Sequence, residues 1–150
     1  MSRAMQWYGK AAHFIGGNHC RFHMATKVGG YIVSTIGELW WERSSREIHA
    51  QISDPKWSAD NRQRKGDDFD AAYFKRFGYE TIGCDRKYET MVFVAGPPCK
   101  SEECNCGVPR ISGSELDFGA YNTAGEATAG HMRLVKKWAK KADRDDDAEA

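Results

Sequence analysis

Hydrophobic and polar residues alternate through "CRFHMATKVGGYIVSTIG", from Cys20 to Gly37. A period of two is the signature of a half-buried strand. Phe22, Met24 and Thr26 fall on one face of a first strand, and Tyr31, Val33 and Thr35 on one face of a second. Gly29-Gly30 between them supplies the positive φ that a tight hairpin turn requires. "REIHAQI" (46–52) reads as a third strand, because Ile48, Ala50 and Ile52 alternate with polar residues.

The period then changes. Asp54-Pro55 has the form of an N-cap followed by proline at the first helical position, which predicts a short polar helix to about Arg64. Asp67 and Asp68 favour a second helix start. Phe69, Ala72, Tyr73 and Phe77 follow at spacings of three and four, and Gly78 is placed to end the helix. "YETIGCDRKYETMVFVAG" (79–96) returns to strand chemistry, with two β-rich runs around residues 84–87. Tyr88–Val94 is the most core-like strand. "SELDFGAYN" (114–122) is expected to pair back as an edge strand. Thr123 and Glu126 have capping-box spacing and predict a last helix to about Lys141. Ala127, His131, Leu134, Val135 and Trp138 form its inner face. Arg133, Lys136, Lys137, Lys140 and Lys141 form its outer one.

Strands and helices come in blocks rather than in strict βαβ alternation. The expected class is α+β: a mostly antiparallel sheet of hairpins with helices packed on one face. A single domain is expected over residues 1–141, with a cysteine-rich loop at 97–109 and a disordered acidic tail at 142–150. A chain of 150 residues is long enough to bury a core of its own. No apolar run approaches the roughly 20 residues that a membrane helix needs, and the N-terminus has no secretory apolar region. A reducing cytosol is therefore expected. The net charge of +1 hides an asymmetry: the last eight residues hold five acids and one arginine (−4), leaving +5 on the preceding 142.

Five cysteines in such a compartment argue against a disulfide framework. Cys99, Cys104 and Cys106 lie within "PPCKSEECNCGVP" (97–109) as C-x₄-C-x-C. Closely spaced thiolates on a turn can take three positions of a zinc tetrahedron. Cys84, at the other end of the adjacent strand run, is the expected fourth ligand. Cys20, His13, His19, His23, His131 and water are the alternatives, and Glu102 and Glu103 are poorer partners. Zinc would staple a long loop. Reduced thiols without metal, or a labile disulfide from Cys99, are the competing readings.

"HFIGGNHCRFH" (13–23) concentrates His13, His19, Cys20 and His23. A thiol nucleophile, Cys20, with His19 or His23 as base is one reading, Gly16-Gly17 then offering amides to an oxyanion. Period-two geometry opposes it: Cys20 shares a face with Phe22 and Met24, away from His19, Arg21 and His23. A small core residue is the plainer role. His131 on an inner helix face reads as a hydrogen-bonded core histidine. The basic helix face and "RQRK" (62–65) could meet phosphates, with Trp40, Trp41 and Trp57 stacking on bases. Solvated lysines and core tryptophans are the simpler account. On a strand, Trp40 and Trp41 would point to opposite faces, exposing one of them as an interface candidate.

"RKYETMVF" (86–93), "ELDFGAYNTAGEATAGHMRLVKKW" (115–138) and "HFIGGNHCRFHMATKVGGYIVSTIGE" (13–38) together resemble a recurring pattern in small bacteriophage-encoded proteins. There a "YETMVF" strand is followed by a "Y-x-T-x-x-E-A-x-x-G-H" helix start. The resemblance implies a phage or prophage origin, expression in the host bacterial cytoplasm, and the role of an accessory factor. It carries over no catalytic residue. The expected function is a non-enzymatic viral protein that binds a host or phage macromolecule, such as a host process or defence factor. Trp40, Trp41, Arg133, Lys136, Lys137 and Lys140 are its expected interaction surface. The alternatives are a small Cys/His- or zinc-dependent enzyme and a nucleic-acid-binding protein.

Overall fold

The structure is a computed structural model that describes residues 5–8, 19–82, 84–103 and 107–149. It is α+β. Strands β1 (Met5–Tyr8), β2 (Cys20–Val28), β3 (Tyr31–Leu39), β4 (Tyr88–Pro98) and β5 (Pro109–Tyr121) lie in sheet order 1-2-3-4-5, every neighbour antiparallel. Helices α1 (Arg43–Ser53), α2 (Pro55–Asp60) and α3 (Asp67–Phe77) fall between β3 and β4, and α4 (Ala124–Glu149) follows β5. The chain forms two compact units. One holds the sheet and α4, and the other spans Trp40–Glu80. No described helix is long and apolar enough to cross a membrane.

In the sheet unit the β2–β3 hairpin turns at Gly29, whose φ is +58°. Its register, Val28↔Tyr31 through Cys20↔Leu39, puts Val28, Val33 and Val92 on one face. There they pack against Val135 of α4, with Tyr31, Leu134 and Trp138 at the margin. Burying each of these valines is worth about 1.5–3 kcal/mol relative to exposure. The opposite face gathers Ala25, Ile32, Ile36 and Phe93 into a second cluster, which also takes Cys20 and Val108. Phe22, Gly37 and Tyr88 form a cross-strand row. The Tyr88 ring lies over Gly37, leaving no room for a β-carbon there, and meets Phe22 edge-on at 5.2 Å.

Four expectations are corrected. The proposed strand at 46–52 is helix α1: Arg46 and Ala50, one turn apart, are buried, while Ile48 and Ile52 are exposed. Three apolar residues in seven satisfy a period of two as well as they satisfy a helix. Arginine, glutamate, alanine and glutamine favour the helix. The run at 79–82 forms no strand. Its Ile82 N–H donates to the Arg86 carbonyl, and Cys84 and Asp85 both adopt positive φ in a tight turn. β5 begins at Pro109, five residues before the expected edge strand. Finally, α4 runs to Glu149 where a disordered tail is expected from residue 142. Ala142 extends the inner stripe and is buried. Asp145 accepts a hydrogen bond from the Tyr31 hydroxyl and pairs with Lys141 at 2.5 Å.

Candidate functional site

The Trp40–Glu80 unit is built around aromatic rings. Asp54 caps α2 by accepting from the Trp57 N–H at 3.2 Å, which fixes Trp57 in the first turn. Its indole meets Phe77 at 5.2 Å and Phe69 at 5.6 Å, and Tyr73 lies 4.8 Å from Phe77. Burial, with the charge of Glu80 beside it, pushes the Tyr73 phenol up to about 12, so it stays a neutral donor to that carboxylate.

Arg46 enters this core from α1 and is 2% exposed. It donates to the Trp41 carbonyl and to the Asp70 carboxylate. Its guanidinium lies 4.4 Å from the Trp40 ring centroid and 5.4 Å from that of Phe74. A planar cation can satisfy all of these at once, which an ammonium cannot. Trp40 is accordingly half-buried beneath the arginine. Trp41 remains 38% exposed. Beyond it on α1, Ile48 is 59% and Ile52 77% exposed, one helical turn apart.

The sheet unit carries a polar centre. His131 of α4 is fully buried. Its Nε2 lies 2.8 Å from Thr26 Oγ1 and its Nδ1 2.7 Å from Thr35 Oγ1, which in turn contacts Thr90 Oγ1 at 2.7 Å. Trp7 of β1 stacks on the imidazole at 5.7 Å. Burial disfavours the imidazolium and lowers the pKa from 6.5 to about 4. At neutral pH the ring therefore carries one donor and one acceptor, and a hydroxyl can complement each.

The cysteine readings divide. Cys20 is buried and pairs with Leu39, next to Glu38, whose φ of +56° breaks the pleat. That break places Cys20 in the cluster with Ala25, Ile32 and Ile36 rather than on the face of Phe22. Burial first, then the negative charge of Glu89, pushes its thiol up to about 11. It is a thiol at neutral pH, the opposite of an activated nucleophile. His19 is exposed, His23 Nδ1 is buried without a partner among the described residues, and Gly16-Gly17 lie outside the described residues. Cys99 is buried at the base of the β4–β5 loop, where its N–H donates to the Val108 carbonyl and its own carbonyl accepts from Gly107. Cys84 is exposed on its turn. Cys104 and Cys106 lie outside the described residues. Among the described residues no group of three metal-ligating side chains forms.

Trp40 and Trp41 belong to the helical unit, and the four basic residues of the expected surface belong to the sheet unit. Arg133, Lys136 and Lys140 are exposed on α4, whereas Lys137 pairs with Asp117 at 2.7 Å. Sequence reasoning missed Arg46, because a strand assignment makes it only the charged end of the face that carries Ile48, Ala50 and Ile52. It also missed the threonines, although Thr26 and Thr35 on apolar strand faces, with a histidine on an apolar helix face, were a readable sign of a buried polar network. No protein-family model matches the chain, and neither a curated protein nor a solved structure matches it.

Proposed function

We propose that this is a phage accessory protein of the bacterial cytoplasm, without enzymatic activity, that docks onto a host protein through α1. The single observation behind this reading is the outward placement of Ile48 and Ile52. A water-facing helix surface normally carries polar residues, yet the two largest aliphatic side chains of α1 point away from its own core. Covering both is worth about 3–6 kcal/mol. Ile48 and Ile52 have the i, i+4 anchor spacing of a helix that lies in an apolar groove, and Trp41, just before the N-cap, is also exposed. Ser44, Ser45 and Gln51 on the same side of α1 are uncharged, and the exposed charge that borders them, Glu47, is acidic. The stripe therefore suits an apolar protein surface and not a phosphate backbone.

The test is a photo-crosslinking side chain at Ser45, with an Ile48→Lys/Ile52→Lys variant measured beside the parent protein. The expected result is a crosslink to one host protein, with affinity lost at least about tenfold in the double variant. Unchanged affinity in the variant, or a crosslink only to a second copy of this chain, overturns the reading.

We also propose that zinc ties the 97–109 loop. The closed backbone clasp between Cys99 and residues 107–108 supports this by holding the loop's ends together. Cys99, Cys104 and Cys106 would be ligands, with Cys84 the fourth. About one zinc per chain by elemental analysis is expected. A content near zero after growth in zinc-supplemented medium removes the metal.

A further inference from the structure

Charge is unevenly spread along α4. Residues 127–142 hold five cations, Arg133, Lys136, Lys137, Lys140 and Lys141, and no acid. The acids of its C-terminal end begin only at Asp143. Two of the five cations are answered within the chain, Lys137 by Asp117 and Lys141 by Asp145. Arg133, Lys136 and Lys140 are exposed and have no ion-pair partner among the described residues. At about 100° per residue these three fall within about 60° of the helix circumference. Arg133 and Lys140 stand about 10 Å apart along the axis, with Lys136 between them. Lys136 and Lys140, four apart, repel each other, and the row gains from any polyanion laid along it.

The make-up of this face selects the polyanion. A protein interface is built on apolar and aromatic residues and is poor in lysine, and this row carries neither kind. A helix on a membrane surface turns an apolar face to lipid, but the apolar face of α4 packs on the sheet through Val135. Single-stranded nucleic acid is held by stacking, but the Trp138 indole is half-buried and donates to Asp117 at 2.9 Å. A duplex backbone asks only for charge. Each strand of DNA offers a phosphate about every 3.4 Å of axis, so a row of about 10 Å faces about three. The B-form major groove, about 12 Å wide, admits a convex helix face, and the deep, narrow groove of A-form RNA does not.

We propose that the outer face of α4 binds double-stranded DNA through its phosphates, without reading sequence. Arg133, Lys136 and Lys140 each neutralise one phosphate. The face belongs to the sheet unit, and this binding does not depend on docking through α1.

Fluorescence-anisotropy titration of the full chain tests it, with duplex DNA of two unrelated sequences, duplex RNA, single-stranded DNA and polyglutamate as probes. The two DNA duplexes are expected to bind alike and more tightly than the other three. Their affinity should fall about fortyfold between about 50 and 200 mM salt, the log–log slope of about −2.7 that three phosphate contacts give. Arg133→Gln/Lys136→Gln/Lys140→Gln should lose at least about tenfold in affinity at about 50 mM salt. Its thermal midpoint should stay unchanged, since all three side chains are exposed and unpaired within the chain. No such loss is expected of Lys56→Gln/Arg64→Gln/Lys75→Gln, which removes the same net charge from exposed positions of the helical unit. Absence of binding to duplex DNA at low salt, a salt slope near zero, an undiminished α4 variant, an equal loss in the second variant, or binding of RNA, single strand or polyglutamate as tight as that of the duplex overturns the proposal.

Discussion

Arg46→Ala is expected to lower the stability of the helical unit by about 3 kcal/mol, the lower end of the cost of breaking a buried ion pair. Three losses combine. The Trp41 carbonyl loses its charged donor, Asp70 loses its nearest cation, and the Trp40 and Phe74 rings face a cavity where a guanidinium lay. Asp70 is 28% exposed and recovers water, which keeps the cost from the upper end of the range. Arg46→Lys is expected to recover only part of it, because an ammonium keeps the charge but cannot reach carbonyl and carboxylate while stacking on a ring. Urea denaturation followed by tryptophan fluorescence checks both. A midpoint for Arg46→Ala equal to that of the parent would show that the guanidinium contributes nothing net.

Acidification should expose the second large effect. In the unfolded chain His131 titrates near 6.5, and in the fold near 4. Because the folded pKa is the lower one, the unfolded state takes up a proton that the folded state refuses. The stability this represents is fully present above pH 6.5 and is lost as pH falls from 6.5 through about 4. The difference amounts to about 3 kcal/mol. Denaturation at pH 7.5, 5.5 and 4.5 should show a falling midpoint. Carboxylates titrate at the lower end of that range, so His131→Leu is the control. It is expected to cost about 2 kcal/mol at pH 7.5, because Thr26 loses its partner and Thr35 keeps only Thr90. Between pH 7.5 and 5.5 its stability should be nearly flat. An equally steep decline in the variant would assign the acid sensitivity to another group.

Where local chemistry and tertiary environment agree, the fold was legible in the sequence. The Gly29-Gly30 turn, the Asp54 cap, the Gly78 helix end and the Thr123–Glu126 cap are all present, the last with Thr123 Oγ1 accepting from the Glu126 N–H at 3.2 Å. These features depend on a few adjacent residues. β1 was not legible: four residues, Met5–Tyr8, are too short to show a period, and their strand state comes from pairing with Ala25–Val28. The last turns of α4 were hidden by their acidic composition, which reads as a solvated tail until Ala142 and Asp145 find their partners. α1 was misassigned because its largest apolar residues face outward, so hydrophobic periodicity described its surface instead of its core.

The pairing of Gly37 with Tyr88 has a thermodynamic corollary. The 48 residues from Trp40 to Lys87 leave the sheet after β3 and return to pair beside it as β4. Closing an excursion of that length costs roughly 3 kcal/mol of chain entropy, which a two-residue turn would largely avoid. The insertion is thus a burden on the meander, offset only by what its own aromatic interior gains. Replacing that excursion by a tight turn is therefore expected to raise the stability of the strands by up to that amount.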